Sequence, residues 1–482
     1  MSDEPESPLR MSDVQRTAVR ELLRIAPVID ELGARFEDAG EQIALVGGPV
    51  RDAMLGRLQN DLDFTTSARP EVTESLVTGW ADATWDLGRA FGTIGCRRGS
   101  WQLEITTHRS DAYDVDSRKP IVDYGDSLVD DLGRRDFTVN AMALSLPGRE
   151  FVDPFSGLED LAAQRLRTPG RPEDSFSDDP LRMMRAARFA AQLGFTVAPE
   201  VVAAMTAMAA RITIVSAERV RDELVKLVNA AGPRRGLALL VETGLAGHVI
   251  PELPALALER DEHHRHKDVY EHTLTVLEQA IELEHRLPGG GPDFVCRFAA
   301  LMHDVGKPRT RRFESDGSVT FHHHDVVGAK ITRKRMKALR FSNDEIDVVS
   351  ELVALHLRFH GYGSGEWTDS AVRRYVRDAG DQLLRLHVLT RADSTTRNRR
   401  RATQLRRTYD DLEARIERLA KEEELAAIRP DLDGNQIMEI LGIEPGRIVG
   451  AAYHHLLELR LDNGPMSYDA ARAALLAWRS GR

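Results

Sequence analysis

The stretch LVGGPVRDAMLGRLQNDLDFTTSA, residues 45–68, decides how the N-terminal half is read. An apolar run ends in Gly47 and Gly48, Arg51 follows three residues later, and Asp61 and Asp63 stand two apart. Residues two apart on a strand point to one face, so a strand at DLDFTT projects both carboxylates together. Two like charges held close repel unless a cation sits between them. An oxygen-only set suits Mg²⁺, which commonly takes one or two carboxylates plus substrate phosphates. The glycine pair offers a turn without side chains whose backbone N–H groups can meet phosphate, and Arg51 can reach the same oxygens. A lone Asp-x-Asp reads more simply as turn residues on an exposed strand. The glycine turn upstream makes the metal-and-nucleotide reading the better one.

Three further clusters fit a nucleotide site. DDLGRRDFTVNAMAL, residues 130–144, carries Arg134, Arg135, Asp136 and Asn140. Arginines bind phosphate oxygens, and an aspartate can accept from a ribose hydroxyl. WQLEITTHR adds Glu104, a candidate third metal carboxylate and catalytic group. In DDPLRMMRAARF, Asp179 before Pro180 reads as a helix N-cap with proline at the first helical position. Arg182, Arg185 and Arg188 then recur every three residues, on roughly one helix face. Asp179 and Arg182 offer an acceptor and paired donors to a base edge. The plainer alternative is a capped helix with a solvated basic stripe.

The chain has 482 residues, 42% of them apolar, enough for two to four domains with real cores. No run of about 18 apolar residues appears, so no membrane span is expected. The start, MSDEPESPLRMSD, lacks the basic-then-apolar order of a signal peptide. Cys96 and Cys296 cannot build a disulfide framework, which fits a reducing cytoplasm. A net charge of −11 argues against a broadly basic nucleic-acid coat but allows a local basic track.

Residues 1–13 read as a disordered tail. Residues 14–170 read as an α/β head, a mixed sheet with helices, in which short β-type runs (IALVGG, DLDFTT, GTIGCRR, WQLEITT) alternate with glycine turns. From Pro172 the periodicity is helical almost to the end. The all-α remainder divides into a neck at 171–258 with the base-reading helix, a metal-binding domain at 259–400 and a tail at 401–482. No solenoid repeat is present.

GGPVRD, DLDF, RRDFTVNA and DDPLRMMRAARF, in this order, resemble the class II tRNA nucleotidyltransferases, the CCA-adding enzymes, which share these motifs with bacterial poly(A) polymerases. The resemblance covers about residues 20–260. It implies that Asp61 and Asp63 hold the catalytic Mg²⁺ ions and that Gly48, Arg51 and Arg135 bind the incoming nucleotide. It further implies that Asp136 checks the ribose, that Asp179 and Arg182 read the base of CTP or ATP in place of a template, and that Arg185 and Arg188 assist. SAERVRDEL at 216–224 matches the neck motif that follows the base-reading helix. The family's usual EDxxR reads DDPLR here, with Asp178 in the glutamate position. The polar stretch from Ile105 to Gly133 resembles the flexible loop of enzymes that switch from CTP to ATP, and GTIGC resembles the CCA-adding enzymes rather than the poly(A) polymerases. Complete CCA addition is therefore expected, with A-only or CC-only addition and poly(A) synthesis as alternatives.

A second constellation follows: YEHTLTVL, FAALMHDVGKP, FHHHDVVGAK, ALHLRFH and TRADSTT, which carry His272, His303, Asp304, His324, His356 and Asp393. Imidazole with carboxylate suits Mn²⁺, Fe²⁺, Ni²⁺ or Zn²⁺. The His-Asp pair before VGKP resembles the all-helical HD superfamily of metal-dependent phosphohydrolases. By that resemblance His272, His303, Asp304 and Asp393 ligate one metal, and His324 and His356 complete a second site or contact phosphate. A contrasting reading makes this half the working hydrolase and the head a nucleotide-binding module; intact Asp61 and Asp63 speak against it. RNRRRATQLRR then places Arg397, Arg399, Arg400 and Arg401 in a basic run suited to RNA phosphate. LGIEPGRIVG, residues 441–450, has the glycine-proline-glycine spacing of a tight helix–helix turn. The expected partners are tRNA, CTP and ATP, with no membrane, as a cytoplasmic monomer or homodimer.

Overall fold

The computed structural model describes residues 11–88, 92–108, 127–257, 269–316, 319–359, 362, 367–394, 399–423 and 429–480. The chain divides into two compact units, Met1–Pro251 and Glu252–Arg482.

The first unit opens with helix α1 (Met11–Asp38). Val14, Ala18, Ile25, Ile29, Leu32 and Phe36 recur at helical spacing and are all buried. The helix takes in the last three residues of the expected tail, because Asp13 sits in its first turn and pairs with Arg16 one turn on. Polar composition alone does not separate such a turn from a disordered end.

Seven strands form one sheet: β1 (Ile43–Val46), β2 (Asp61–Thr66), β3 (Ala83–Gly88), β4 (Thr93–Arg98), β5 (Trp101–Thr107), β6 (Ala143–Leu146) and β7 (Glu150–Val152). Their order is β3-β4-β5-β2-β1-β6-β7. Only β2 and β5 run parallel, with Asp61 opposite Gln102 and Asp63 opposite Glu104. Leu62 and Phe64 are fully buried on the opposite face of β2, each contributing roughly 2 kcal/mol by burial. That anchorage is what turns Asp61 and Asp63 outward. Helices α2 (Gly48–Met54), α3 (Pro70–Val77) and α4 (Leu128–Gly133) join these strands, and α5 (Gly157–Ala162) follows β7. The switch-loop stretch expected between Ile105 and Gly133 begins as β5 and ends as α4; its residues 109–126 lie outside the described residues.

The neck comprises α6 (Pro172–Asp178), α7 (Leu181–Leu193), α8 (Pro199–Met208), α9 (Ala217–Val228), α10 (Pro233–Glu242) and α11 (Ala246–Val249). One small departure from an all-helical neck is a two-residue parallel ladder of β8 (Arg165–Leu166) with β9 (Thr196–Val197).

The second unit carries α12 (Val269–Leu283), α13 (Phe294–Met302), α14 (Lys307–Thr310), a hairpin of β10 (Arg312–Phe313) and β11 (Val319–Thr320), α15 (His324–Ala338), α16 (Asn343–Leu355), α17 (Asp369–Ala379) and α18 (Leu383–Asp393). Then come α19 (Arg399–Glu423), α20 (Gly434–Leu441), α21 (Arg447–Asn463) and α22 (Tyr468–Ser480). The expected boundary at 400/401 falls inside α19. That helix is tied to the preceding elements: the Tyr409 ring stacks on Phe359 at 3.8 Å, and its hydroxyl donates to the Thr390 carbonyl at 2.6 Å. The glycine turn read from LGIEPGRIVG joins α20 to α21, with Gly442 at φ 60°.

Candidate active site

Asp61, Asp63 and Glu104 share one face at the middle of the sheet, on the adjacent strands β2 and β5. Asp61 is exposed at the first position of β2, Asp63 is half-buried, and Glu104 lies opposite Asp63 on β5. Burial raises the pKa of Asp63, and Asp61 adds to the rise while Arg135 opposes it. Burial and then the charges of Asp63 and Asp61 raise Glu104. Mutually destabilised carboxylates at the lip of a cavity are what a divalent cation relieves, and their oxygen-only donor set fits Mg²⁺. Their oxygens do not all converge within 4.8 Å.

The glycine turn is strained in a way only glycine tolerates. Gly47 has φ 72°, and a Cβ there would lie 2.8 Å from Arg135 Nη1. Gly48 begins α2, with Pro49 following. Arg51 is 4% exposed, donates to Asp52 at 2.9 Å and to Asn140 Oδ1 at 2.6 Å, and lies 5.1 Å from the Phe189 ring centroid. Arg135 pairs with buried Asp131 at 3.2 Å. Asp136 is the most engaged carboxylate. Its Oδ1 accepts from Phe137 N at 2.8 Å and Asn140 Nδ2 at 2.9 Å, and its Oδ2 accepts from Arg185 Nε at 2.7 Å. Burial opposes its charge, yet Arg185 and these hydrogen bonds bring it down to about 2.

Asp179 closes α6, and its Oδ1 accepts from Leu181 N at 3.1 Å. Pro180 (φ −60°, ψ −18°) takes the N-cap position of α7, whose first helical residue is Leu181, so the cap lies one residue later than the position before proline suggested. Arg182 donates to Ser175 Oγ at 2.8 Å and to the Arg134 carbonyl at 2.5 Å. Arg188 donates to buried Glu223 at 2.6 Å. The arginine stripe of α7 therefore faces inward rather than solvent.

A cavity of about 550 Å³ collects these groups, within the range of small-molecule sites. Gly47, Gly48, Arg51, Asp63, Glu104, Arg135, Asp136, Asn140, Asp179, Arg182, Arg185 and Arg188 all line it. Asp61 stands outside the lining, at the exposed start of β2. Sequence reasoning missed Asp131, Phe189, Arg219 and Glu223. Arg219 and Phe189 line the cavity, and Arg219 Nη2 donates to Asp179 Oδ2 at 2.7 Å. Arg219 and Glu223 stand four apart within SAERVRDEL, a spacing that marks one face of α9 and was the available signal.

In the second unit six expected residues converge from five helices. His272, His303 and Asp393 form one group of ligand atoms within 4.8 Å of one another, and Asp304, His324 and His356 form a second. This differs from a four-plus-two division, since Asp304 serves both: its Oδ2 lies 3.2 Å from His303 Nε2 and its Oδ1 lies 3.3 Å from His324 Nε2. His303, His324 and His356 each direct Nδ1 at a backbone carbonyl, of Ala300, Phe321 and Val353. Their buried Nε2 atoms make no hydrogen bond. That is the arrangement of imidazoles fixed to present a lone pair to a metal. Burial disfavours a charged His303, but the Asp304 and Asp393 charges pull it up to about 10; the same field attracts a cation. Burial and the neighbouring His303 bring His356 down to about 4. Gly306 is where α15 comes closest: a Cβ there would lie 2.1 Å from the His324 carbonyl oxygen. Of the basic run, Arg397 lies outside the described residues, Arg399 and Arg401 fall within α19, and Arg400 is exposed on it.

A mixed sheet carrying paired carboxylates beside a glycine turn, followed by an arginine-lined helical neck and an HD unit, defines a nucleotidyltransferase of the polymerase-head type. Residues 43–167 match the Poly A polymerase head domain, 194–256 the "Probable RNA and SrmB- binding site of polymerase A", and 269–398 the HD domain. The chain is 34% identical to the A-adding tRNA nucleotidyltransferase of Deinococcus radiodurans, over 90% of this chain and 95% of that one. It is 32% identical to the CC-adding tRNA nucleotidyltransferase of Thermus thermophilus, over 91% and 94%. It is 42% identical to the CCA-adding enzyme of Levilactobacillus brevis, over 44% and 52%. In fold it resembles the Bacillus stearothermophilus CCA-adding enzyme solved with CTP, at 24% identity and TM-score 0.66, over 96% and 98% of the chains. The chain belongs to the tRNA nucleotidyltransferase family and is an enzyme of that class. Its two kinds of domain imply dependence on divalent metal. No helix among the described residues is long and apolar enough to cross a membrane.

Proposed function

We propose that the head adds C, C and A to the 3′ end of tRNA from CTP and ATP. The observation that carries this reading is one cavity in which a carboxylate face, a glycine turn and an Asp179–Arg182 pair meet. Gly47, Gly48, Arg51 and Arg135 receive the triphosphate. The RNA 3′-hydroxyl oxygen attacks the α-phosphorus, the bond to the β-phosphate oxygen breaks, and pyrophosphate leaves. Asp61 and Asp63, with Glu104 beside them, would hold Mg²⁺, and the chemistry it would supply is charge stabilisation of the attacking and leaving oxygens. Asp179 accepts and Arg182 donates, which matches the amino donor and adjacent ring-nitrogen acceptor of both cytosine and adenine. Uracil and guanine present the reverse order. Asp136 meets the ribose by exchanging one of its present donors for a sugar hydroxyl, and Asn140 holds both Asp136 and Arg51 in place. Arg185 and Arg188 keep the neck's charge at the nucleotide.

The tRNA body lies along the tail, with Arg397, Arg399, Arg400 and Arg401 contacting phosphate, in a cytoplasmic monomer or homodimer. The expected divisions at 170, 258 and 400 separate head, neck, HD unit and tail. His272, His303, Asp304 and Asp393, with His324 and His356, hold a transition metal such as Ni²⁺, Mn²⁺ or Fe²⁺. The chemistry supplied there is hydrolysis of phosphate esters such as a 2′,3′-cyclic phosphate.

A second reading is partial addition, for which one observation speaks: two relatives matched over about nine-tenths of the chain are A-adding and CC-adding enzymes. Labelled CTP and ATP, offered to tRNA ending at its discriminator base and to tRNA ending in CC, separate the readings. Complete addition labels the first substrate with both nucleotides. Incorporation of only one nucleotide establishes the partial reading.

A further inference from the structure

Nothing in the reaction above uses Arg219, although its side chain reaches the nucleotide cavity. Arg219 lies in the first turn of α9, which Ser216 caps. Its Nη2 holds Asp179 Oδ2 at 2.7 Å, while Leu181 N holds Oδ1 at 3.1 Å. The two oxygens of one carboxylate are thus fixed from two different helices. The pair is only partly buried, with side chains 54% and 23% exposed. An ion pair so exposed adds little stability, so holding the fold together does not account for it.

We propose that Arg219 is a positioning residue for base selection: it stops Asp179 from turning, so that the carboxylate meets the base edge in one orientation. This rests on Asp179 being the base-reading acceptor. A carboxylate oxygen has two lone-pair directions. Each Asp179 oxygen spends one on its anchor and keeps one. The amino group of cytosine or adenine can donate to such a fixed acceptor. Uracil and guanine put a carbonyl oxygen at that place. Two acceptors then face each other with no proton between them, and the wrong base is refused. A carboxylate held only by Leu181 N can rotate about its bond to Cβ and withdraw from that clash. Both sides of discrimination weaken, since the right base loses a prepared acceptor and the wrong one loses its obstacle.

The test uses the full-length protein with Arg219→Ala, Arg219→Lys and Asp179→Ala. It measures kcat and KM for whichever of CTP and ATP the wild type uses, misincorporation of UTP and GTP, tRNA affinity and thermal midpoint. Arg219→Ala is expected to raise KM about tenfold and relax discrimination against UTP about tenfold, the scale of one charge-assisted hydrogen bond. Its kcat stays within about threefold, on the footing that only ground-state placement is lost, and tRNA affinity and thermal midpoint stay as in the wild type. Arg219→Lys, which keeps one charged donor, recovers part of the discrimination. If Asp179→Ala relaxes discrimination while both Arg219 variants keep it, Arg219 has no part in selection and the inference falls alone. If Asp179→Ala keeps wild-type discrimination, the base-reading assignment falls and this inference with it. A lowered thermal midpoint in Arg219→Ala with discrimination intact would show a structural role and overturn the proposal; Arg219→Lys supplies the same readings should the alanine variant fail to fold.

Discussion

Asp63, half-buried, and Asp136, buried, are two aspartates with opposite fates. Asp63 is pushed toward its neutral form by burial and by Asp61. Removing it relieves repulsion, so Asp61→Ala or Asp63→Ala is expected to abolish incorporation of both nucleotides while the thermal midpoint holds or rises. Near-normal incorporation in either variant, in a filter assay with labelled CTP and ATP, would remove these residues from catalysis. Asp136 is held charged, from an ordinary 3.8 down to about 2. A folded pKa below the unfolded one stabilises the fold fully above the unfolded value. That contribution, about 2 kcal/mol, disappears as pH falls from about 4 toward 2. Urea melts across that window should show a shallower acid loss in Asp136→Asn than in the wild type, together with lower stability at neutral pH. An unchanged acid limb would mean that Arg185 does not set the charge of Asp136.

At the level of elements, close approach decides more than composition does. Gly306 lets the turn after Asp304 lie against the start of α15, bringing His324 to Asp304. Gly306→Ala forces those segments apart and is expected to lower metal content measured by elemental analysis severalfold, with nucleotide incorporation retained. Full metal occupancy in that variant would show that α15 can shift without losing His324. The same scale explains what was legible beforehand. Asp61 and Asp63 declare themselves because a strand's period is two and Leu62 and Phe64 mark the buried face. The HD residues declare themselves by their ordered motifs: the four expected ligands come together with His324 and His356, in two groups of three. Arg219 does not, because helical spacing says which residues share a face of α9 and nothing about α6, some forty positions earlier, where Asp179 waits. Nor does the start of α1, since Ser12 and Asp13 suit a loose end and a first helical turn equally well. The boundary drawn at 400/401 falls two residues into α19, because a run of arginines changes composition without marking the end of an element.

Across the whole molecule, each unit carries its own candidate donor set. The head set is oxygen only, and the HD set mixes imidazole with carboxylate. His303→Ala with Asp304→Ala is expected to remove metal-dependent cleavage of 2′,3′-cyclic phosphate and to leave nucleotide addition within about twofold, as expected for sites without shared partners. Parallel loss of both activities, in protein with native helical content by circular dichroism, would show that the two centres depend on each other. The way the nucleotide cavity is assembled also bears on its making. Its wall draws on Gly47, Asp63, Glu104, Asp136, Asp179 and Arg219, so the contacts that close it join distant stretches of chain, which form slowly during folding. A ribosome that has released the seven strands but not yet α9 carries a head whose sheet is complete and whose cavity lacks its neck wall. The growing polypeptide thus closes that cavity only after the neck has emerged and docked.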